Sequence, residues 1–173
     1  MSEYRLEPWG EDDLPLLHRL LGDPAMTEHL GGPESPAKLA DRHARYLNAE
    51  PGVVEMYRIV DESGVAVGSV GYWERDDMDE GKVFETGWAV LREFQGRGIA
   101  SAATALVIEV LKAQRKHRYL YAFPSEDNLP SNAICRKLGF ELVDTGDFEY
   151  PKGSGNILTC NNWRLDLFAA QEQ

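Results

Sequence analysis

The chain has 173 residues, a formal charge of −11 at pH 7, 43% hydrophobic residues and 27% charged residues. This length and composition predict a single domain over residues 1–173 with a core that needs no disulfides. The acidic balance argues against non-specific nucleic-acid binding, which depends on Lys and Arg, and is compatible with simple solubility or with a cationic partner such as an amine.

Cysteine content and the N-terminal segment bear on location. Only Cys135 and Cys160 are present, which is too few for a secreted disulfide framework and predicts reduced thiols. The run from Met1 to Arg5 lacks an apolar signal core, and no stretch is long enough to span a bilayer. We therefore expect a cytoplasmic protein with no membrane partner.

Turn residues and apolar periodicity divide the first half of the chain into short elements. The run Asp61-Glu62-Ser63-Gly64 predicts a turn between two strands. The predicted elements are a strand over 5–9, a helix from Asp12 or Asp13 to Leu21, a helix over about 35–48, and strands over 55–60 and 65–72.

In the second half, strands alternate with helices. The predicted elements are a strand over 83–91, a helix over 101–115, a strand over 118–123, a helix over 132–138, and strands over 140–144 and 163–167. Helices before the early strands, followed by alternating strand and helix, indicate a mixed α/β sheet flanked by helices.

The most informative motif is Gln95-Gly96-Arg97-Gly98-Ile99-Ala100, between a predicted strand and a predicted helix. Glycines let the backbone approach a ligand closely, and the free N–H groups of the following helical turn favour an anion such as phosphate. Neither the Lys-Ser/Thr pair of a nucleoside-triphosphate loop nor the third glycine of a dinucleotide site follows. The simplest alternative is a tight turn without a ligand.

A second motif runs from Asn128-Leu129-Pro130-Ser131 to Gly139-Phe140. Asn128 or Ser131 can cap the start of a helix, because both side chains accept backbone N–H bonds. Arg136 and Lys137 then lie in the last turn, where positive charge is favourable. A short capped surface helix would explain this segment without any function.

Together, Gln-x-x-Gly-x-Ala and the later Asn-x-x-Ser resemble the two cofactor segments of the GNAT superfamily of N-acyltransferases. The resemblance implies an α/β fold, with one mixed sheet of about six to seven strands that is splayed at its central strands and flanked by helices. It also implies acetyl-CoA as acyl donor, an amine as acceptor and no metal, and it allows a homodimer.

The resemblance assigns cofactor contacts to three groups of residues. Backbone groups of Val90, Leu91 and Arg92 would bond the pantetheine arm, because an open strand edge offers N–H and C=O groups to an extended ligand. Asn128 and Ser131 would lie near the thioester. The pyrophosphate would be held by Gln95, Gly96, Arg97, Gly98, Ile99, Ala100 and Ser101.

Glu85 is the candidate general base for attack of the amine on the thioester. It lies on the strand before the glycine loop, where members of the superfamily often carry a catalytic carboxylate. Phe84 and Trp88 can help to desolvate it and raise its pKa. Because side chains alternate along a strand, an outward-facing glutamate is the alternative.

Ser131 is the candidate for donating to the departing thiolate or positioning the thioester, and helix capping is its alternative role. Cys135 stands where many relatives carry a tyrosine acid, and a thiol is only a weak donor. This departure resembles the branch of ribosomal-protein N-terminal alanine acetyltransferases. Cys135 is interpreted as a packed thiol or, alternatively, an acyl nucleophile, and Tyr119, Tyr121 and Tyr150 are phenols without an assigned place.

Two further segments bear on the acceptor. The acidic run from Glu74 to Glu80 predicts a solvated loop or, alternatively, a gate for a cationic substrate. His29 and Gly31-Gly32-Pro33 fall where the superfamily places acceptor-binding elements. His18, His29 and His43 lack the spacing of metal ligands.

Three functional hypotheses follow. The first is an acetyl-CoA-dependent N-acetyltransferase that acts directly on a primary amine of a small molecule. The second is acetylation of a protein N-terminus. The third is a non-catalytic CoA-binding or interaction module. Fold analogy cannot choose between acceptors, because acceptor specificity lies in loops.

Overall fold

A computed structural model describes residues 3–150 and 152–169. Within these residues the chain forms seven strands and four α-helices, with 3-10 turns at Glu11–Asp13, Glu28–Leu30 and Arg92–Phe94. The elements are β1 (Arg5–Pro8), α1 (Leu14–Leu21), α2 (Pro36–Leu47), β2 (Val54–Val60), β3 (Ala66–Met78), β4 (Gly81–Val90), α3 (Ile99–Gln114), β5 (Tyr119–Ala122), α4 (Leu129–Lys137), β6 (Glu141–Glu149) and β7 (Ile157–Asp166).

The seven strands form one open mixed sheet in the order β1-β2-β3-β4-β5-β7-β6. The strands β1 to β4 form an antiparallel meander, and β5, β7 and β6 pair antiparallel on the other side. The parallel junction is β4 with β5, and α3 connects them, as a parallel crossover requires. The predicted mixed sheet of six to seven strands is confirmed.

The parallel junction opens after two residue pairs. Phe84 faces Leu120 and Glu85 faces Tyr121. Beyond these pairs β4 continues to Val90, whereas β5 ends at Ala122. The expected splay of the central strands is therefore confirmed.

Apolar side chains pack on both faces of the sheet. Phe84, Val90 and Leu111 belong to the cluster under α3 and α4. Leu17 and Leu39 belong to a second cluster under α1 and α2 and are at most 2% exposed. Because full burial of such a side chain contributes about 2 kcal/mol, the α1–α2 layer is firmly attached beside the open end of β4. Among the described residues, none of the helices has the length and apolar character that crossing a bilayer requires.

Local capping explains where α4 begins. The Asn128 side chain accepts a hydrogen bond from the backbone N–H of Ser131 at 3.2 Å, so Asn128 is the N-cap. Pro130 fits the first turn, where its missing N–H leaves no helical bond unmade. The helix therefore begins at Leu129, three residues before the predicted start, and Ser131 lies inside its first turn.

The acidic run is the main departure from the predicted elements. Strand β3 continues to Met78, so Glu74 and Arg75 lie in the sheet opposite Phe84 and Val83 and not in a solvated loop. Pairing explains this difference, because Lys116 neutralises Glu74 and the His117 imidazole lies 2.8 Å from the same carboxylate. Strands β6 and β7 are likewise longer than predicted, since they pair with each other along a ladder from Glu141 to Glu149.

Candidate active site

The opening between β4 and β5 forms a cavity of about 460 Å³ that reaches both faces of the sheet. On the α1–α2 face it is lined by Glu85, Arg75 and residues of α2. On the α4 face it is lined by Trp88, Asn128 and Ser131. The two candidate catalytic residues, Glu85 and Ser131, thus line the same cavity from opposite sides of the sheet.

Glu85 faces this cavity and not the outer solvent. Its side chain is 20% exposed, and the guanidinium of Arg75 donates a hydrogen bond to its carboxylate at 2.8 Å. Burial raises the pKa of Glu85 above its ordinary value, and the positive charge of Arg75 opposes that rise. A partly desolvated carboxylate at this place can accept a proton more readily than one in water.

Arg75 is held on three sides. Its Nε and Nη2 each donate to the Asp77 carboxylate at 2.7 Å. Its guanidinium lies 4.8 Å from the centre of the Phe123 ring. Phe123 in turn stacks on Tyr121 and contacts Phe148, with ring centres 5.5 Å apart in each pair. The aromatic wall of the cavity therefore supports the side chain that pairs with Glu85.

A second polar cluster at the cavity was not predicted from the sequence. Arg42 on α2 forms a short ion pair with Glu34 and donates to the hydroxyls of Tyr46 at 3.4 Å and Tyr150 at 3.2 Å. Both ends of the ion pair are largely buried. Tyr150, one of the unplaced phenols, thereby joins the end of β6 to α2 and closes the cavity on that side.

On the other face, Trp88 and Ser131 meet across the gap. The Trp88 indole donates to the Ser131 hydroxyl at 3.2 Å. Asn128 provides the helix cap, so the Ser131 side chain is not needed for capping. Asn132, buried behind them, accepts hydrogen bonds from Asn161 and Trp163 and donates to the backbone oxygens of residues 125 and 128. This network fixes α4 against β7.

The glycine loop is exposed at the start of α3. Gly96 and Gly98 have φ angles of 79° and 76°, in the region that favours glycine. The first backbone bond of the helix runs from the N–H of Ala102 to the oxygen of Gly98 at 3.0 Å. The N–H groups of Ile99, Ala100 and Ser101 precede that bond and point away from the helix, as anion binding requires.

The backbone groups of Leu91, which were expected to bond the pantetheine arm, are not free at the end of β4. Its N–H donates to Val67 and its carbonyl accepts from Phe94, each at 2.9 Å, so both groups have partners within the protein. Because backbone groups alternate along a strand, Val90 and Trp88 turn theirs to the β5 side. The Val90 carbonyl there accepts a bond from the Gln95 side chain at 2.9 Å. The open edge therefore lies one residue before Leu91.

The two thiols differ in position. Cys135 is fully buried in the core under α4, and burial raises its pKa to about 12. The reactive thiolate is therefore scarce at neutral pH, and Cys135 is not among the residues that line the cavity, so the structure does not place it for the role of nucleophile or acid. Cys160 lines the cavity, and its pKa is also raised, by burial first and then by Glu85.

The other residues singled out lie at the rim or outside the cavity. His29 lines it, with Nδ1 3.1 Å from the Asp127 carboxylate. Tyr121 donates to Glu80, and Arg164 donates to the same carboxylate at 3.1 Å. The Glu80 carboxylate, at the end of the acidic run, is therefore already paired with Arg164. It is not free to attract a cationic substrate.

A family model described as an acetyltransferase (GNAT) domain matches residues 4–141. None of the curated proteins compared with the chain matches it by sequence. Solved structures are similar over nearly the whole chain. The ribosomal-protein-alanine N-acetyltransferase from Brucella melitensis is 23% identical, with a TM-score of 0.75 over 94% of this chain and 99% of that chain.

Two further structures have the same architecture. The spermidine N-acetyltransferase from Vibrio cholerae, solved with CoA and spermine, is 14% identical, with a TM-score of 0.77 over 95% of each chain. A GNAT-family acetyltransferase from Bacillus anthracis is 16% identical, with a TM-score of 0.75 over 96% of this chain and 97% of that chain. At these identities the likenesses establish the fold.

Proposed function

Because the chain belongs to the GNAT acetyltransferase family, which acts with CoA, we propose that it transfers an acetyl group from acetyl-CoA to a primary amine of a small molecule. The observation that carries this proposal is the cavity through the splayed sheet, with Glu85 on one face and Ser131 on the other. In such a passage an amine beside Glu85 can reach the thioester carbonyl while the thioester sulfur lies near Ser131.

The glycine loop and the open edge of β4 support the donor site. The N–H groups of the first turn of α3, which precede the first helical hydrogen bond, fit the pyrophosphate, and Arg97 adds a cation beside them. The backbone of Val90, turned to the gap, fits an amide of the pantetheine arm. The proposed contacts are completed by Arg92, Gln95 and Asn128. Leu91 would not bond the pantetheine arm itself, because both of its backbone groups already have partners within the protein.

In the proposed reaction, Glu85 takes a proton from the acceptor ammonium, directly or through water. The free amine nitrogen then bonds to the thioester carbon, and the tetrahedral intermediate collapses by breaking the C–S bond, whose electron pair goes to sulfur. The Ser131 hydroxyl, which accepts a hydrogen bond from Trp88, gives its proton to the departing sulfur. Ser131 regains a proton from the nitrogen, which loses its second proton as the amide forms, and Glu85 returns its own proton to solvent. The products are the acetylated amine and CoA.

The closed acceptor side favours a small molecule over a peptide. Tyr150 is joined to α2 through Arg42, and the side chain of Asn156 packs against Gly31. These contacts hold the β6–β7 turn over the α1–α2 segment. The cavity volume of about 460 Å³ lies in the range typical of small-ligand sites.

A protein N-terminus is the second proposed acceptor. The likeness to the Brucella melitensis ribosomal-protein-alanine N-acetyltransferase supports it at the level of fold. A peptide would have to enter past the Arg42–Tyr150 contact. We also propose a cytoplasmic location, which the two free thiols support.

The test is release of CoA from acetyl-CoA with polyamines, amino acids, aminoglycosides and short N-terminal peptides as acceptors. Glu85→Gln is compared with the wild type, and Glu109→Gln, an exposed site on α3, is the matched control. We expect turnover with one class of small amine and a loss of about 10²-fold or more in Glu85→Gln only. Turnover confined to peptides would favour the second acceptor, and cofactor binding without any turnover would favour the non-catalytic module.

A further inference from the structure

We propose that Arg75 and Asp77 form a positioning pair that holds the Glu85 carboxylate fixed in the cavity and sets the pH at which it can accept a proton. This inference rests on the proposed function, in which Glu85 is the base. Both residues lie in the acidic run from Glu74 to Glu80, for which the sequence predicts a solvated loop or a gate and no contact with Glu85.

The geometry places the three residues in one chain of charge. Arg75 donates a hydrogen bond from one nitrogen to Glu85 at 2.8 Å, and one from each of its other two nitrogens to Asp77 at 2.7 Å. Arg75 and Glu85 are 21% and 20% exposed, whereas the Asp77 side chain is 61% exposed. The arginine therefore connects a cavity carboxylate to a carboxylate at the protein surface.

The sheet register explains why the pair forms. Glu85 lies directly opposite Trp73 on β3, and Arg75 is two residues further along β3. Diagonal neighbours on one face of an antiparallel pair are within reach of long side chains. The Phe123 ring beneath the guanidinium limits its movement further. Arg75 is therefore held towards Glu85 by the fold and not by the ion pair alone.

Arg75 and Asp77 act on the ionisation of Glu85 in opposite directions. Burial favours the neutral carboxyl, which cannot act as a base, and the Arg75 cation favours the ionised form. Asp77 bonds the same guanidinium and its negative charge again favours the neutral form. An arginine without Asp77 would stabilise the carboxylate more strongly, whereas Glu85 without Arg75 would keep its proton to a higher pH.

The other basic side chains that line this cavity have partners of their own. Arg42 pairs with Glu34, and His29 contacts Asp127. Within residues 3–150 and 152–169, no second basic side chain pairs with Glu85. The remaining titratable groups that line the cavity are Tyr46, Glu149, Tyr150 and Cys160. Arg75 is thus the cation that governs Glu85.

The experiment measures the ionisation of Glu85 directly and in turnover. The carboxyl carbon of Glu85 is followed by NMR over pH in the wild type, Arg75→Gln and Asp77→Asn, with Glu85→Gln to assign the signal. The fall of kcat/KM on the acidic side of its pH profile, the acid limb, is measured for the same proteins, with the amine that the acceptor panel identifies as the substrate. Arg118→Gln, which removes another arginine paired with an aspartate on the sheet, is the matched control.

We expect opposite shifts from the two variants. Arg75→Gln moves the Glu85 titration and the acid limb to higher pH, Asp77→Asn moves both to lower pH, and Arg118→Gln moves neither. Arg75→Lys, which keeps the charge, remains closer to the wild type and serves if Arg75→Gln fails to fold. Shifts in one direction, or none, would overturn the proposal. If the NMR titrations shift as expected but no acceptor is turned over, the proposed function fails and the pairing stands.

Discussion

The indole Nε1 of Trp88 donates a hydrogen bond to the hydroxyl of Ser131 at 3.2 Å, and this bond joins β4 to α4 at the wall of the cavity. A hydroxyl that accepts from an indole keeps its own proton for another acceptor. Since the cap of α4 is Asn128, the Ser131 hydroxyl is not committed to holding the helix. The serine is therefore placed to donate within the cavity.

We predict that Ser131→Ala lowers kcat and kcat/KM for acetyl transfer by a similar factor, about tenfold or more, because the lost bond acts only as sulfur departs. The free energy of unfolding should change little. Asn128→Ala is the contrasting variant, since removal of an N-cap costs about 1 kcal/mol. Urea denaturation and steady-state kinetics measure both effects. A destabilised Ser131→Ala with unchanged kcat would assign the serine to structure.

The sequence predicts the parts of this site that depend on local chemistry. Glycines before a helix and an Asn-x-x-Ser start are local signals, and the loop and α4 lie where these signals indicate. The face of the sheet that Glu85 occupies is not local, because strand alternation permits either face until the neighbouring strands are paired. The bonds of Leu91 depend in the same way on its partner Val67.

Two other features lie beyond local reasoning. Arg42 and Tyr150 are 108 residues apart in the chain, and neither carries a motif. The acidic run was predicted to be a loop because the chain alone does not show that Lys116 lies beside Glu74. Both differences arise from contacts between residues far apart in the chain, a hydrogen bond in one case and an ion pair in the other, which a composition argument cannot assign to partners.

We predict that Arg97→Gln raises the KM for acetyl-CoA about 10- to 100-fold and leaves kcat at saturation nearly unchanged, because a charge-assisted bond to phosphate contributes about 1.5–3 kcal/mol. Arg97 is exposed in the glycine loop. Arg45→Gln, also an exposed arginine but on α2, is the control and should behave as the wild type. Equal effects of the two variants would indicate general electrostatic attraction and not a phosphate contact.

We predict that Gly31→Ala weakens acceptor binding through the β6–β7 turn. A Cβ at Gly31 would overlap the side-chain amide of Asn156, which also donates to the backbone of Tyr150 at 2.9 Å. Gly64→Ala is a matched control, since Gly64 has a φ of 84° against 85° at Gly31, and its Cβ would meet nothing within 4 Å.

Both glycine variants should lose about 1 kcal/mol from the left-handed backbone. Only Gly31→Ala should also raise the KM for the amine, and the KM for acetyl-CoA should stay constant in both. Steady-state kinetics and urea denaturation provide these values. If Gly64→Ala raised the amine KM to the same extent, the turn would not control access to the acceptor side.

We predict that Cys135 resists alkylation in the folded protein at pH 8. Burial raises its pKa to about 12, so the reactive thiolate is scarce, and the side chain is out of reach of the reagent. Mass spectrometry after treatment with iodoacetamide should find Cys135 unmodified in buffer and modified in urea. Rapid modification in buffer, together with loss of activity, would reopen a catalytic role for this thiol.

We predict that Glu85→Gln is more stable than the wild type at neutral pH. The folded-state pKa of Glu85 is raised above its ordinary value of 4.5 by burial. Protonation of Glu85 therefore favours the folded state, and this contribution is complete below the ordinary value and lost as pH rises through the folded pKa. Glutamine resembles the neutral carboxyl and carries no such loss, while Arg75 keeps its two bonds to Asp77.

The free energy of unfolding of Glu85→Gln should thus exceed that of the wild type at pH 7, and the difference should shrink as the pH falls towards 4.5. Urea denaturation at several pH values measures this difference, with Glu109→Gln as the exposed control, for which we expect no such trend. A variant that is less stable at pH 7 and approaches the wild type only as the pH falls below 4.5 would mean that the ion pair with Arg75 outweighs burial. The folded-state pKa of Glu85 would then lie below its ordinary value, which would weaken its assignment as a base tuned by its surroundings.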